Sequence, residues 1–299
     1  AAVVYAARVL GFGWSQALLW LTVFTICYEP FMADIRVGNV NRLQLAWLAA
    51  ALAAFGRGRA AWRWALGGGL LGLGVMFKPN LAVVLLPLLA AILVQRAWRP
   101  LAALAGGGLA GAAAGLALPA TLFGGLGCWK QWAGILSQIV ASRRELAEGN
   151  FGLSALLHGR LGADVSAVLL LLPLGLVAAV LWTRRRADRD TWPAQVPLLI
   201  ALGAALMLLS SRLVWTHYYV FAVPLLLAAV RPAVTRGRAG WKEGAVLTGI
   251  LLLSILPARC LAWPSEPRAW LGNAAVILAL AVVLQHMRNP AQSAHRAAD

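Results

Sequence analysis

Apolar residues fall in runs at about 14–29, 37–55, 60–77, 80–94, 101–123, 166–183, 194–210, 214–230, 243–260 and 269–287. Most approach the roughly 20 residues that a helix needs to cross a hydrocarbon core of about 30 Å. The pattern predicts an all-α fold: a polytopic membrane protein of about ten transmembrane helices, with 1–299 forming one transmembrane domain. Residues 1–13 read as the tail of an earlier element. One interruption stands out. Gly67 to Leu89 is nearly all apolar yet carries Lys78, Pro79 and Asn80 at its middle. Trp62 to Val94 as a single helix would be about 50 Å long, well beyond the core. Two short spans meeting at Lys78-Pro79-Asn80 fit better, because Pro79 breaks the helical ladder and pushes Lys78 out of helical geometry. A cation held at such a turn is expensive unless something anionic meets it.

The basic residues orient the runs. Arg57, Arg59 and Arg63 lie between the second and third, and Arg96 and Arg99 between the fourth and fifth. Arg184, Arg185, Arg186 and Arg189 follow the sixth, Arg231, Arg236, Arg238 and Lys242 the eighth, and Arg288 and Arg296 the last. These are alternate loops, so one assignment satisfies them all: they are cytoplasmic, the C-terminus included, in a multi-pass cell membrane protein. The opposite side receives Glu29 to Asn41, the Lys78 turn, the long 124–165 segment, Ser210 to His217, and Ala262 to Pro267. The stretch from Ser137 to Leu146 has an amphipathic look, which predicts an interfacial helix within 124–165.

Composition narrows the reading. The chain is 61% hydrophobic and 12% charged, with a mean hydropathy of +0.77, which no soluble domain of this size shows. Its net charge of +16 is divided among short clusters between apolar runs. Membrane lipids are therefore the expected partners of that charge, and nucleic acid is not. Cys27, Cys128 and Cys260 have neither metal spacing nor a disulfide framework. Glycine runs such as Gly67 to Gly69 and Gly106 to Gly108 suit close helix packing in lipid; no GK[ST] follows them to make a phosphate loop. The many tryptophans at run ends suit aromatic belts. The chain opens inside apolar sequence at Ala1 with neither an initiator Met nor a signal peptide, and is expected to lack a preceding segment.

The polar residues expected on the outer side carry the candidate chemistry. Arg36, Lys78, Arg143, Arg144, Arg212 and His217 are cations placed where the positive-inside bias disfavours them. A phosphate-bearing ligand would explain them, since Arg offers bidentate donors and Lys a point charge. The plainer alternative is that they snorkel to the interface or pair with Glu29, Asp34, Glu145 and Glu148. Lys78 is the strongest candidate, having no acidic neighbour in sequence. His217 alone also suits a satisfied interface residue. Asn39, Asn41 and Asn150 suit either ligand hydrogen bonding or helix capping and turns. Asp34 and Glu29 have no His partner, so neither a metal site nor a cofactor is predicted.

In order, Arg36-Val-Gly-Asn-Val-Asn41 opens a span and Phe77-Lys78-Pro79 separates two apolar runs. Gly149-Asn150, with Ser154 and Leu156, lies in the long outer loop. Ser210-Ser-Arg-Leu-Val-Trp-Thr-His217-Tyr218 closes the series. This order resembles the polyprenol-phosphate-sugar-dependent glycosyltransferases of family 87, which have the multi-span GT-C fold and include mannosyltransferases of lipoglycan synthesis. The resemblance covers about residues 30 to 230. It departs from the family at Gly38-Asn39, where Gly-Gln is usual, and at Ser210-Ser211-Arg212, where Ser-Pro is common. It implies a hexosyltransferase moving a sugar, mannose being one candidate, from a polyprenyl-phosphate-linked donor to a glycan or glycolipid acceptor on the extracytoplasmic side.

On that resemblance Lys78, His217, Arg212 and Arg143 would hold the donor phosphate, and Asn39, Asn41, Asn150 and Trp215 would line the site. GT-C enzymes are similar to one another in carrying an acidic residue in the first outer loop, which here is expected to precede Ala1. Asp34 is the substitute catalytic candidate. Two other readings remain open at this level: a lipid or lipid-linked-sugar flippase, and a non-catalytic membrane subunit.

Overall fold

A computed structural model of the chain describes residues 2–55, 60–141, 150–186, 192–236, 241–252 and 265–288. The described residues are helices joined by turns, with one isolated antiparallel bridge between Asn150 and Trp215. Short α1 (Ala2–Val9) leads into α2 (Trp14–Thr22), which loosens into a π turn at Val23–Cys27 before α3 (Glu29–Arg36). Then come α4 (Asn41–Phe55), α5 (Ala61–Phe77), a 3₁₀ segment (Pro79–Leu85) and α6 (Leu86–Val94). The long α7 (Trp98–Leu122) is followed by α8 (Gly127–Ala141), α9 (Leu153–Leu161) and α10 (Ser166–Arg184). A 3₁₀ turn (Trp192–Gln195) opens α11 (Val196–Ser210), and another (Thr216–Ala222) opens α12 (Val223–Arg236). The last two are α13 (Trp241–Leu252) and α14 (Ser265–Arg288).

Five helical stretches among the described residues are long and apolar enough to cross a membrane: Trp98–Leu122, Ser166–Arg184, Trp192–Ser210, Thr216–Val234 and Glu266–Arg288. They match five of the expected runs to within a few residues. Among the described residues the other runs give shorter elements, so five of the roughly ten expected spans reach full membrane length. Trp14–Cys27 and Pro79–Val94 are shorter apolar helical stretches. The 15 residues of α4 and 17 of α5 are about 22 and 26 Å long. The run expected at 243–260 is described only to Leu252. Hydropathy averages over changes in the hydrogen-bond ladder, such as the π turn at Val23–Cys27 inside the run at 14–29, and so overestimates helix length.

The core is built on α11 and α12. Leu199, Leu202, Ala205, Leu206, Phe221, Leu225 and Leu226 are buried, as befits helices surrounded by other helices. By contrast α7 and α10 turn apolar faces outward: Leu109 is 74% and Leu172 64% exposed, a pattern for lipid contact. The expected close glycine packing joins α5 to α7. A Cβ at Gly68 or Gly72 would overlap the carbonyl oxygens of Leu104 or Gly108, and one at Gly107 or Gly111 those of Ala65 or Gly69. Only hydrogen atoms fit between these backbones. Gly106, by contrast, faces open space.

The two ends of the bundle differ. At one end the α3–α4 turn, the Lys78 break, the 150–166 segment, the 210–217 segment and the start of α14 come together through direct side-chain contacts. These are the segments that the arginine pattern places on a common side. At the other end lie Arg8, Arg96, Arg185, Arg186 and Arg231, with Arg184 bonded to the Met287 carbonyl.

Candidate functional site

Local sequence sets each wall of the site. Lys78 N–H closes α5 on the Gly74 carbonyl at 3.0 Å, and its own carbonyl accepts the Leu81 N–H at 2.9 Å. Between these it is extended, at φ −148° and ψ 95°, as a residue before proline must be. The expected break is therefore present, and it turns the lysine side chain off the helix. On the second wall α3 ends at Gly38 (φ 64°), with Gly38 N–H bonded to Ile35 O and Asn39 N–H to Asp34 O. Glycine is the residue that takes this left-handed closing turn at no steric cost. The turn delivers Asn39 and Asn41 to the start of α4. The third wall is the 3₁₀ turn at Thr216–Ala222, which carries His217 and Tyr218.

These walls meet at Lys78. Its ammonium donates to Asn41 Oδ1 at 2.6 Å and lies 3.5 Å from the centre of the Tyr218 ring, with Phe221 at 5.2 Å. Asn41 is fully buried, and its Nδ2 donates to the His217 carbonyl at 3.3 Å. Asn39 Nδ2 meets His217 Nε2 at 2.9 Å, while Asn39 Oδ1 accepts the Val40 N–H at 2.7 Å. That second bond fixes the amide orientation, so Nε2 accepts and the neutral ring carries its proton on Nδ1, an assignment made from the network. Among the described residues no carboxylate pairs with Lys78. An amide oxygen and an aromatic face support its charge, and neither cancels it.

Asp34 stands behind this group. It is fully buried; Oδ2 accepts Arg42 Nε at 2.9 Å and Arg42 N–H at 3.3 Å, and Oδ1 has no hydrogen-bond partner. Its charge reaches both Lys78 and His217. Arg42 escaped the sequence reading; its position eight residues after Asp34, across the Gly38 turn, was the available signal. Tyr218 was visible beside His217 but carried no expected role.

A second cluster holds the remaining candidates. Asn150 Nδ2 donates to the Arg212 carbonyl at 2.9 Å, and its Oδ1 accepts the N–H groups of Gly152 at 2.9 Å and Val214 at 3.0 Å. Its amide thus ties two loops together, the turn-forming role foreseen as its alternative. Trp215 pairs with Asn150 through backbone and caps the Thr216 turn. Arg212 forms an ion pair with Asp164, a residue passed over in the sequence because it sits alone in a polar loop. Hydrogen bonds from the N–H and hydroxyl of Ser166, and then the Arg212 guanidinium, hold the Asp164 carboxyl down at about 2. Ser154, buried, meets the Ser166 hydroxyl. Arg36 pairs with Glu29, the plainer of its two readings. Arg143, Arg144 and the end of the expected interfacial helix lie outside the described residues; α8 covers its start. Among the described residues no three His, Cys, Asp or Glu side chains are grouped as metal ligands would be.

A half-buried lysine, with no carboxylate paired to it among the described residues, thus stands between a proline break and a His-Tyr turn, and comparison with known families says which kind of protein holds it. The sequence profile of glycosyltransferase family 87 matches residues 1–211. The chain belongs to glycosyltransferase family 87. It is a membrane glycosyltransferase, with the sugar donor and acceptor that this activity requires. No curated protein and no solved structure matches the chain. Asp34, Asn39, Asn41, Lys78 and Asn150 fall inside the matched region, whereas Arg212, Trp215 and His217 follow it directly. The family assignment therefore covers two of the three walls, and the third joins them by contact.

Proposed function

We propose that this family 87 enzyme takes its sugar from a polyprenyl-phosphate-linked donor and that Lys78 grips the donor phosphate. The observation that carries this reading is Lys78 itself, a half-buried cation with neutral partners alone. A departing phosphate would supply the missing negative charge, and two ammonium protons beyond the one given to Asn41 are available to it. His217 adds its Nδ1–H as a neutral donor. Asn39 sets that tautomer, and Asn41 fixes the ammonium. Arg212, engaged by Asp164, supplements the grip from the second cluster, and Arg143 is proposed beside it from the sequence alone. Asn150 and Trp215 shape the 150–217 wall.

In the transfer the bond between the sugar C1 and the phosphate oxygen breaks, leaving polyprenyl phosphate. The acceptor hydroxyl oxygen bonds to C1, and its proton passes to a carboxylate. Among the described residues, Asp34 is the carboxylate that stands behind Lys78 and His217. Its burial and its bond to Arg42 suit it better to setting Lys78 and His217 than to receiving that proton. The site is assigned to the extracytoplasmic end and the arginine-rich end to the cytoplasm, following the basic loops. A hexose, mannose among the candidates, is the proposed cargo, and a glycan or glycolipid the acceptor.

The test is sugar transfer from a radiolabelled polyprenyl-phosphate sugar in membranes containing the full-length protein. Labelled product formed by wild type and lost in Lys78→Ala and His217→Ala, at equal expression, supports the reading. Movement of the labelled lipid across the bilayer without transfer would favour a flippase and overturn it.

A further inference from the structure

Two helix ends approach each other at the arginine-rich end, away from Lys78. α6 closes with Arg96 N–H bonded to Leu93 O and Ala97 N–H to Ile92 O, the same turn that ends α3. In α3 the left-handed position is Gly38; in α6 it is Arg96, at φ 52°. Among the described residues no other non-glycine has a positive φ. A side chain there is strained, and glycine would relieve it. Across from it α10 ends at Arg184, followed by Arg185 and Arg186.

Between them lies a cavity of about 380 Å³ lined by Val94, Gln95, Arg96, Trp182, Arg185 and Arg186. It holds three guanidiniums, with no carboxylate among its described lining residues. Arg185 stacks on the Trp182 ring at 3.5 Å, which fixes its plane, and its Nη1 is buried without a hydrogen-bond partner. None of the three is in an ion pair among the described residues. A buried guanidinium N–H without an acceptor is costly, and planar forks of this kind suit phosphate oxygens. The lining also has apolar surface: Val94 and Trp182 belong to it, and Trp182 is 56% accessible.

We propose that this cavity is a binding site for the phosphodiester headgroup of an anionic phospholipid. Arg185 Nη1 donates to a phosphate oxygen, Arg96 and Arg186 add charge from either side, and the acyl chains lie along Val94 and Trp182. Phosphate oxygens are the shared chemistry of a lipid headgroup and of free phosphate. The apolar Val94 and the exposed Trp182 in the lining favour the lipid.

The test is native mass spectrometry of the delipidated, full-length protein titrated with dioleoylphosphatidylglycerol, dioleoylphosphatidylcholine or inorganic phosphate. Wild type is expected to hold one phosphatidylglycerol at least about tenfold more tightly than phosphatidylcholine. Arg96→Gly is expected to weaken that lipid by about tenfold while raising the melting temperature, because glycine relieves the turn. Arg185→Gln with Arg186→Gln is expected to abolish the preference for phosphatidylglycerol. Equal retention of phosphatidylglycerol by wild type and both variants would overturn the site. Inorganic phosphate binding as tightly as the lipid would overturn the lipid assignment. Because Arg96→Gly is expected to fold better than wild type, its loss of lipid cannot be laid to misfolding.

Discussion

The Lys78 ammonium donates to the Asn41 amide oxygen at 2.6 Å across 37 residues of sequence, and Asn41 donates in turn to the carbonyl of His217. One fully buried amide thus connects the proline break to the His-Tyr turn, and both depend on it. Asn41→Ala should remove the acceptor and loosen the lysine without removing its charge. The expected result is a rise in donor KM of about tenfold, from loss of a charge-assisted hydrogen bond. Steady-state kinetics at varied donor concentration would show it.

Asp34→Asn separates positioning from proton transfer. As a positioning group, Asp34 fixes Arg42 and supports the two cationic partners, so the variant should raise donor KM and keep the pH profile of kcat. If Asp34 took the acceptor's proton, kcat would collapse and its acidic limb would disappear. A kcat–pH profile of both enzymes decides.

Asn150 should behave differently from Lys78. Its side chain satisfies backbone groups of Gly152, Val214 and Arg212, so Asn150→Ala strands a part-buried Val214 N–H. A stability loss of about 1–3 kcal/mol is expected. Thermal unfolding in detergent should show it, and the enzyme that remains folded should keep its affinity for donor.

How much of this was readable beforehand depended on sequence distance. The lysine break was legible because Pro79 is the next residue, and glycine packing because Gly68, Gly72, Gly107 and Gly111 lie within short glycine-rich runs. Five membrane-length helices were legible from hydropathy to within a few residues. The shortness of α2 and α4 was not, because an apolar run does not reveal where its hydrogen-bond ladder changes register. The partners of Lys78 were equally hidden: Asn41 and Tyr218 are brought there by packing between distant segments. Asp164 looked like an ordinary loop residue until the structure set it against Arg212.

Gly111→Leu tests the α5–α7 contact. Even a methyl group at this position would overlap the Gly69 carbonyl, so the helices must separate. A destabilisation of about 1–3 kcal/mol is expected from overpacking, with Gly106→Leu, which faces open space, near neutral. Melting curves of the two variants would compare them directly.

The Asp164–Arg212 pair has a defined pH window. The Asp164 carboxyl falls from an ordinary 3.8 to about 2 in the folded chain, so its contribution is complete above about pH 4.5. It should fade as the pH drops from about 4 towards 2. The difference in melting temperature between wild type and Asp164→Asn should therefore be flat from pH 5 to 8 and shrink only below that range.

Equilibrium binding of polyprenyl monophosphate tests the proposed grip of Lys78 on the donor phosphate without requiring the acceptor. Lys78→Met keeps the apolar stem against Tyr218 and removes the charge. At least about tenfold weaker binding of polyprenyl phosphate to folded Lys78→Met than to wild type is expected, with unphosphorylated polyprenol bound equally by both. Equal affinity of the two proteins for polyprenyl phosphate would contradict it.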